Sequence, residues 1–170
     1  FDTRGVERAL KGSKISVPDL EGYAWRIWDY WERHLDPDLF IDRTLRGHVA
    51  NKVVVITGGS SGIGRASAIK VAEAGAKVII VARGEEELFK TRDEIIAAGG
   101  KCWAYTCDLT DMASCDELVK TVLAEHKAVD ILVNNAGRSI RRSVEASYDR
   151  FHDYERTMQL NYFGCLRLIM

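Results

Sequence analysis

The sequence lacks three features that would point to other classes of protein. No apolar run approaches the roughly 20 residues that a membrane-spanning helix needs, so no transmembrane segment is predicted. The formal net charge is -1, so the charge balance gives no reason to expect a nucleic-acid partner. The 4 cysteines form no C-x-x-C pair and have no histidine at ligand spacing, so no metal site is predicted.

Neither end of the sequence has the features of a natural terminus. The chain begins at Phe1 without an initiator methionine and stops at Met170 inside an apolar helical pattern. We therefore expect an internal segment of a longer protein, truncated at both ends, for which a missing signal peptide says little about location. The cysteines, read as reduced thiols, predict a cytoplasmic protein.

One stretch organises the rest of the chain. Residues 53–56 are consecutive β-branched apolar residues, which predict a strand buried on both faces. Gly58, Gly62 and Gly64 follow, and helical character resumes directly after them. A strand, a glycine-rich turn and a helix N-terminus together favour a diphosphate site. A P-loop is excluded because Arg65-Ala66 stands where that motif requires Lys and then Ser or Thr.

Strands and helices alternate in the remainder of the chain. Further strands are predicted at residues 76–82, 102–107 and 129–134. Further helices are predicted at 84–98 and 114–126, with a last helix beginning near 148–151. This alternation predicts an α/β fold with a parallel sheet and right-handed crossovers.

Residues 1–48 are predicted to form a linker or docking arm with one helix. The first residues are polar and basic without clear periodicity. The helix runs from about Leu20 to Leu35, capped by Ser16 and stopped at Asp36-Pro37. A docking surface is favoured over a cofactor platform, because aromatic side chains bury large areas with few rotamers to lose. The apolar stripe on this helix comprises Tyr23, Ile27, Trp28 and Trp31.

Two motifs carry a family resemblance. Thr57-Gly58-Gly59-Ser60-Ser61-Gly62-Ile63-Gly64 resembles the cofactor fingerprint of the short-chain dehydrogenase/reductase family, and Asn134-Asn135-Ala136-Gly137 resembles that family's second signature. The resemblance implies that residues 49–170 form a Rossmann-type, doubly wound parallel sheet. It also implies the strand order 3-2-1-4, with the cofactor at the carboxyl ends of the strands.

A narrower resemblance links the chain to the C-terminal reductase domain of bacterial two-domain fatty acyl-CoA reductases. It rests on the linker-like residues 28–40 and on residues 138–143 and 161–164. It implies an upstream domain of the same chain and a fatty acyl-CoA or fatty aldehyde as the carbonyl substrate. The basic cluster Arg138, Arg141 and Arg142 would then hold CoA phosphates; a solvated loop is the alternative.

The family resemblance also assigns roles to single residues. Asp108 and Leu109 would contact the adenine, with a turn-forming Asp as the alternative. Residues 134–137 would line the nicotinamide ribose, with a plain strand-end turn as the alternative. Asn161 matches the Asn of the catalytic tetrad, whose backbone holds a water in the proton relay. The predicted cofactor-binding residues are Thr57, Gly58, Ser60, Ser61, Gly62, Ile63, Gly64, Arg83, Asp108, Leu109, Asn135, Ala136 and Gly137.

The rest of that tetrad, a Ser and a Tyr-x-x-x-Lys, has no match in the chain. No Lys occurs after Lys127. In the family the Lys lowers the pKa of the Tyr, which passes a proton as hydride moves. We therefore expect these residues beyond Met170, and we expect the 170-residue segment alone to be inactive.

The end of the second strand predicts NADP as the cofactor. An NAD enzyme usually carries an acidic residue there, but this chain has Ala82 followed by Arg83, whose guanidinium suits a phosphate unless it is merely solvated. The predicted function is hydride transfer between NADPH and a carbonyl. A homo-oligomer is expected because the strand at 129–133 presents an unpaired edge. A catalytically incompetent nucleotide-binding scaffold or sensor is the alternative function.

Overall fold

The computed structural model describes residues 4–14, 19–34 and 41–170. The chain divides into two compact units, Phe1–Ile41 and Asp42–Met170. The predicted cap at Ser16 and the predicted stop at Asp36-Pro37 lie outside the described residues. Within the described ranges, no helix is long and apolar enough to cross a membrane.

The first unit contains α1 (Arg4–Leu10) and α2 (Leu20–His34). α1 corrects the prediction of a single helix in the arm. Its Arg, Glu, Ala and Leu residues favour a helix locally, but none of them is buried, so no apolar period marked the helix in the sequence. α2 spans the predicted aromatic helix, and none of its residues is buried either. Its docking role stays a prediction.

The short helix α3 (Leu45–Val49) opens the second unit. The Thr44 hydroxyl caps it by accepting a hydrogen bond from the Gly47 backbone N–H at 3.4 Å. Val49 is buried and belongs to the hydrophobic core. The division between the two units therefore lies before α3, whereas the sequence placed it between residues 48 and 49.

The second unit is built on one sheet of parallel strands. These are β1 (Val53–Thr57), β2 (Lys77–Ala82), β3 (Lys101–Thr106) and β4 (Ile131–Val133). Their order is β3-β2-β1-β4, which confirms the predicted order. In the register of the sheet, Val54 of β1 lies beside Val78 of β2 and Ile131 of β4. Every residue of β1 is buried, as its β-branched sequence predicted.

Helices cover both faces of this sheet, because successive strand side chains point to opposite sides. α4 (Gly62–Glu73) and α5 (Glu85–Ala97) contribute to the core cluster that contains Val54 and Val78. α6 (Met112–His126) contributes to the opposite cluster, which contains Val55 and Ile79. This is the doubly wound, Rossmann-type arrangement that the family resemblance implied.

A long helical segment follows the loop after β4. It is preceded by a 3-10 turn at Glu145–Ser147. It begins as α7 (Phe151–Met158), widens into a π-helical segment at Gln159–Gly164 and continues as α8 (Cys165–Ile169). π-helical turns occur frequently at functional sites, and this one contains Asn161.

Candidate cofactor-binding site

The carboxyl ends of β1, β2 and β4 open into a cleft of about 370 Å³. In a doubly wound sheet, ligands bind at this edge, where the strand order reverses. The cleft gathers most of the predicted cofactor residues: Gly58, Ser60, Ser61, Arg83, Leu109, Asn135, Ala136 and Gly137. The other predicted residues do not line it: Thr57, Gly62, Ile63, Gly64 and Asp108.

The glycine turn needs its glycines for conformation and for space. Gly58 has a φ of +69°, and a Cβ there would lie 2.9 Å from the Asn135 side-chain nitrogen and 3.0 Å from the Ala136 Cα. A Cβ at Gly64 would collide with the Gly58 carbonyl oxygen, so Gly64 lets α4 pack against the end of β1. Gly62, at a φ of +54°, faces open space, which leaves room for a ligand to approach the backbone.

The N-terminus of α4 is available to bind an anion. The first backbone N–H groups of a helix have no partner within it. Ser61 occupies the N-cap position but makes no side-chain cap. The Ile63 side chain is 79% exposed and leaves the turn uncovered. The free N–H groups and the helix dipole therefore favour a phosphate at this point.

Thr57 braces the site from beneath and does not face the cleft. Its side chain is fully buried, and its Oγ1 accepts hydrogen bonds from the Asn135 and Ala136 backbone N–H groups, both at 3.0 Å. The Asn135 side-chain amide donates in return to the Thr57 carbonyl oxygen at 2.9 Å. These bonds lock the second signature against the glycine turn, across 78 residues of sequence.

Arg83 lies at the lip of the cleft, directly after β2, and no carboxylate precedes it. It forms no ion pair with any residue in the described part of the chain. Arg65 differs, because its guanidinium is paired with Glu94 of α5. At the end of this strand, the Arg83 guanidinium is therefore available to bind a negatively charged ligand.

Asp108 forms the turn after β3. Its Oδ1 accepts hydrogen bonds from the Thr110 backbone N–H at 2.9 Å and from Thr110 Oγ1 at 2.7 Å. The bond from the Thr110 backbone has the largest effect in holding the pKa of the Asp108 carboxyl below its usual value. The bond from the Thr110 hydroxyl and the positive charge of Arg83 lower this pKa further. Oδ2 accepts no hydrogen bond from the described residues. The turn is thus observed, and the adenine contact stays a prediction.

Asn161 reaches the loop after β4 from the π-helical segment. Its Oδ1 accepts a hydrogen bond from the Arg138 backbone N–H at 3.0 Å, and its Nδ2 donates to the Arg138 carbonyl oxygen at 2.8 Å. Each polar atom of the side chain therefore makes one hydrogen bond to the Arg138 backbone.

The predicted basic cluster is divided by the fold. Arg142 Nη1 donates to Asp153 Oδ2 at 2.7 Å, and Arg150 Nε donates to the same oxygen at 2.9 Å. Hydrogen bonds from Arg150 first and Arg142 second lower the pKa of Asp153 to about 2. Arg142 ties the loop after β4 to α7 and is not free for a phosphate, whereas Arg138 and Arg141 are exposed without such a partner among the described residues.

Sequence reasoning missed Cys107 and Leu160, which also line the cleft. Cys107 follows β3 and directly precedes Asp108. Its position at the end of a strand could therefore have been predicted in the same way as that of Asp108. No local pattern marks Leu160, because the π-helical segment reaches the cleft only through the packing of the helix on the sheet.

Comparisons with known proteins agree with this geometry. Residues 52–170 match the family described as short chain dehydrogenase. An uncharacterized oxidoreductase of Mycobacterium tuberculosis is 55% identical over 171 residues, which cover 99% of this chain and 50% of that protein. A fatty acyl-CoA reductase of Acinetobacter baylyi is 51% identical over 130 residues, covering 76% of this chain and 44% of that protein. The chain spans about half the length of these curated relatives.

Solved structures share the fold. A metagenomic short-chain oxidoreductase in complex with NADP has a TM-score of 0.66 at 33% identity, over 71% of this chain and 54% of that one. An L-sorbose reductase from Gluconobacter frateurii, complexed with NADPH and L-sorbose, has a TM-score of 0.65 at 30% identity. The match covers 71% of this chain and 45% of that one. With both signatures meeting at the mouth of a doubly wound sheet, these matches show that the chain belongs to the short-chain dehydrogenase/reductase family.

Proposed function

We propose that the natural full-length protein is an NADP-dependent oxidoreductase that transfers hydride between NADPH and a carbonyl. The observation that carries the proposal is Arg83, which lies without an ion pair among the described residues at the lip of the cleft, directly after Ala82. The proposed carbonyl belongs to a fatty acyl-CoA or to the aldehyde derived from it. A relative at 51% identity named fatty acyl-CoA reductase supports this choice.

The cleft residues fit a dinucleotide that carries an extra phosphate. The free N–H groups at the start of α4 would hold the diphosphate, with Gly62 leaving space for it. The Arg83 guanidinium would hold the 2′-phosphate, because its planar fork matches phosphate oxygens. When bound, the cofactor supplies the hydride. Asn135, Ala136 and Gly137 shape the wall beside it.

Asn161 is the proposed catalytic residue of this chain. Its side chain is bonded to the Arg138 backbone, and its part in the proton relay is assigned to its own backbone, as the family resemblance implies. The π-helical geometry supports this assignment, since such turns occur frequently at functional sites. A Ser and a Tyr-x-x-x-Lys from outside the 170 residues complete the proposed machinery.

Calorimetric titration of NADPH and NADH against the full-length protein tests the proposal. We expect a preference for NADPH that Arg83→Ala reduces by about 10- to 150-fold, the range for charge-assisted hydrogen bonds. Arg92→Ala is the matched control, because Arg92 is paired with Asp93 on α5 and should leave both affinities unchanged.

Three outcomes would count against the proposal. Equal affinities for the two cofactors, or a preference that survives Arg83→Ala, would refute the role of Arg83. Tight NADPH binding by the full-length protein without turnover of a fatty acyl-CoA or fatty aldehyde would favour a nucleotide-binding scaffold or sensor.

The cytoplasmic location, the homo-oligomer and the upstream domain of the same chain belong to the same proposal.

A further inference from the structure

A second cavity adjoins the cofactor cleft. It measures about 420 Å³ and is lined by Arg83, Thr110, Arg138, Arg156 and Gln159. Its three arginines come from separate parts of the fold: the end of β2, the loop after β4 and helix α7. Only Arg83 is shared with the cofactor cleft. These arginines lie in different segments of the sequence, and no motif predicted that they would meet.

These three arginines form no ion pair within the described part of the chain. Other arginines of the same unit are neutralised by carboxylates: Arg65 by Glu94, Arg92 by Asp93, Arg142 and Arg150 by Asp153, and Arg167 by Asp116. Asp108 lies close enough to Arg83 to attract it, and hydrogen bonds from Thr110 lower the pKa of Asp108 and keep it ionised. Arg138 and Arg156 are therefore the two arginines of this cavity on which the site depends.

The backbone that carries these arginines is held in place. Asn161 bonds both backbone polar groups of Arg138. Gln159 Nε2 donates to the Thr110 carbonyl oxygen at 3.0 Å and ties the π-helical segment to the turn after β3. Arg156 lies one helical turn before Gln159, on the same side of the helix. The walls are thus fixed, and the guanidinium groups remain exposed at the opening.

We infer that Arg138 and Arg156 form a phosphate site that takes the 3′-phosphate and diphosphate groups of a CoA thioester, beside Arg83, which is assigned to the 2′-phosphate of the cofactor. Guanidinium groups bind phosphate oxygens bidentately, and convergent arginines suit a group of two or more negative charges. Arg138 also lines a shallow opening that contains Gly137 and Asn161.

This inference rests on the proposed function, because it names the substrate group that the same reductase would hold. The phosphate chemistry has a second possible source, the 2′-phosphate of NADPH. The two sources are separated by titrating CoA and 3′-dephospho-CoA with NADPH present at saturation and again without it. The arginine variants named below are also titrated with NADPH alone, so that a failure of the proposed NADP binding is detected separately from a failure of CoA binding.

The test compares Arg156→Ala, Arg156→Lys and the control Arg92→Ala in the full-length protein. Arg156→Ala should weaken CoA binding by about 10- to 100-fold and abolish the preference for CoA over 3′-dephospho-CoA. NADPH affinity should change by less than about twofold, and Arg156→Lys should retain part of the CoA affinity because it keeps the charge. Thermal unfolding of each variant confirms that the exposed substitution leaves the fold intact.

The inference is overturned if Arg156→Ala binds CoA as tightly as Arg92→Ala does. It is also overturned if the substitution weakens NADPH as much as CoA, which would assign the cavity to the cofactor. A wild-type protein that binds CoA at this site but does not bind NADPH would contradict the proposed function and leave the phosphate site standing.

Discussion

The side-chain amide of Asn161 bonds the backbone of Arg138 on both of its polar groups, at 3.0 Å and 2.8 Å, across 23 residues of sequence. The pair joins the π-helical segment to the loop that follows β4. Through it, Asn161 fixes the backbone of an arginine that lines two cavities.

Asn161→Ala should loosen this loop. The substitution removes both bonds, and each net hydrogen bond contributes about 0.5–1.5 kcal/mol. We expect faster amide hydrogen exchange at Arg138, with Asn161→Asp intermediate because it keeps an acceptor for the Arg138 N–H but loses the donor. Unchanged exchange at Arg138 in the alanine variant would show that other contacts hold the loop.

Thr57→Val should destabilise the unit through an unpaired donor. The Thr57 hydroxyl accepts from the Asn135 and Ala136 backbone N–H groups. The Asn135 N–H also donates to the Val133 carbonyl oxygen at 3.0 Å, so loss of the hydroxyl leaves the Ala136 N–H without its acceptor, at a cost of about 1–3 kcal/mol. Chemical denaturation measures the free energy of unfolding. Thr57→Ser is the matched control: it keeps the hydroxyl and should cost only about 0.8 kcal/mol for the lost methyl group. Equal losses in the two variants would rule out the hydrogen bonds as the cause.

Asp153 should make the unit sensitive to acid. Hydrogen bonds from Arg150 and Arg142 lower its pKa to about 2, from an ordinary value of 3.8. Because the folded-state pKa is depressed, the stabilisation is fully present above about pH 4 and is lost as the pH falls toward about 2. Asp153→Asn should therefore be less stable than the wild type at neutral pH, and the difference should shrink between pH 4 and 2. A difference that is constant across that window would contradict the assignment.

The segment of 170 residues should not turn over a carbonyl substrate by itself. Asn161 is the one residue that we match to the family's tetrad, and loss of a positioned general acid typically costs about 10²–10⁴-fold in rate. NADPH oxidation is followed with purified segment, and Arg83→Ala and a Gly62 variant serve as controls for contaminating enzymes. Steady oxidation by the segment that disappears in these variants would refute the prediction.

β4 should promote self-association of the same segment. It pairs with β1 on one side and is the last strand of the sheet on the other. Nearby, Val129, Leu132 and Leu168 line an apolar cavity. Unpaired apolar edges template pairing with another chain, so sedimentation at micromolar concentrations should show dimers or larger species. Val129→Lys, which places a charge at the edge, should reduce them; a stable monomer at all concentrations would count against the prediction.

The sequence was informative where structure is decided locally. Four β-branched residues in β1 predicted a buried strand, and the glycines after it predicted the turn, because backbone freedom and side-chain shape act within a few residues. The strand order came from the family resemblance and is confirmed. The helix α1 was missed, since a short helix without a buried face leaves no apolar period in the sequence.

The sequence by itself therefore determined the Rossmann core, the diphosphate turn and the Ala82-Arg83 pair on which the cofactor prediction depends. Only the tertiary structure decided what each side chain is free to do. Arg142 and Arg138 belong to one basic run, yet Arg142 is neutralised by Asp153 and Arg138 is not. Arg156, which no motif marked, joins Arg138 and Arg83 at one cavity. Ion pairing and cavity formation depend on distances between separate elements, and those distances are set only when the helices pack on the sheet.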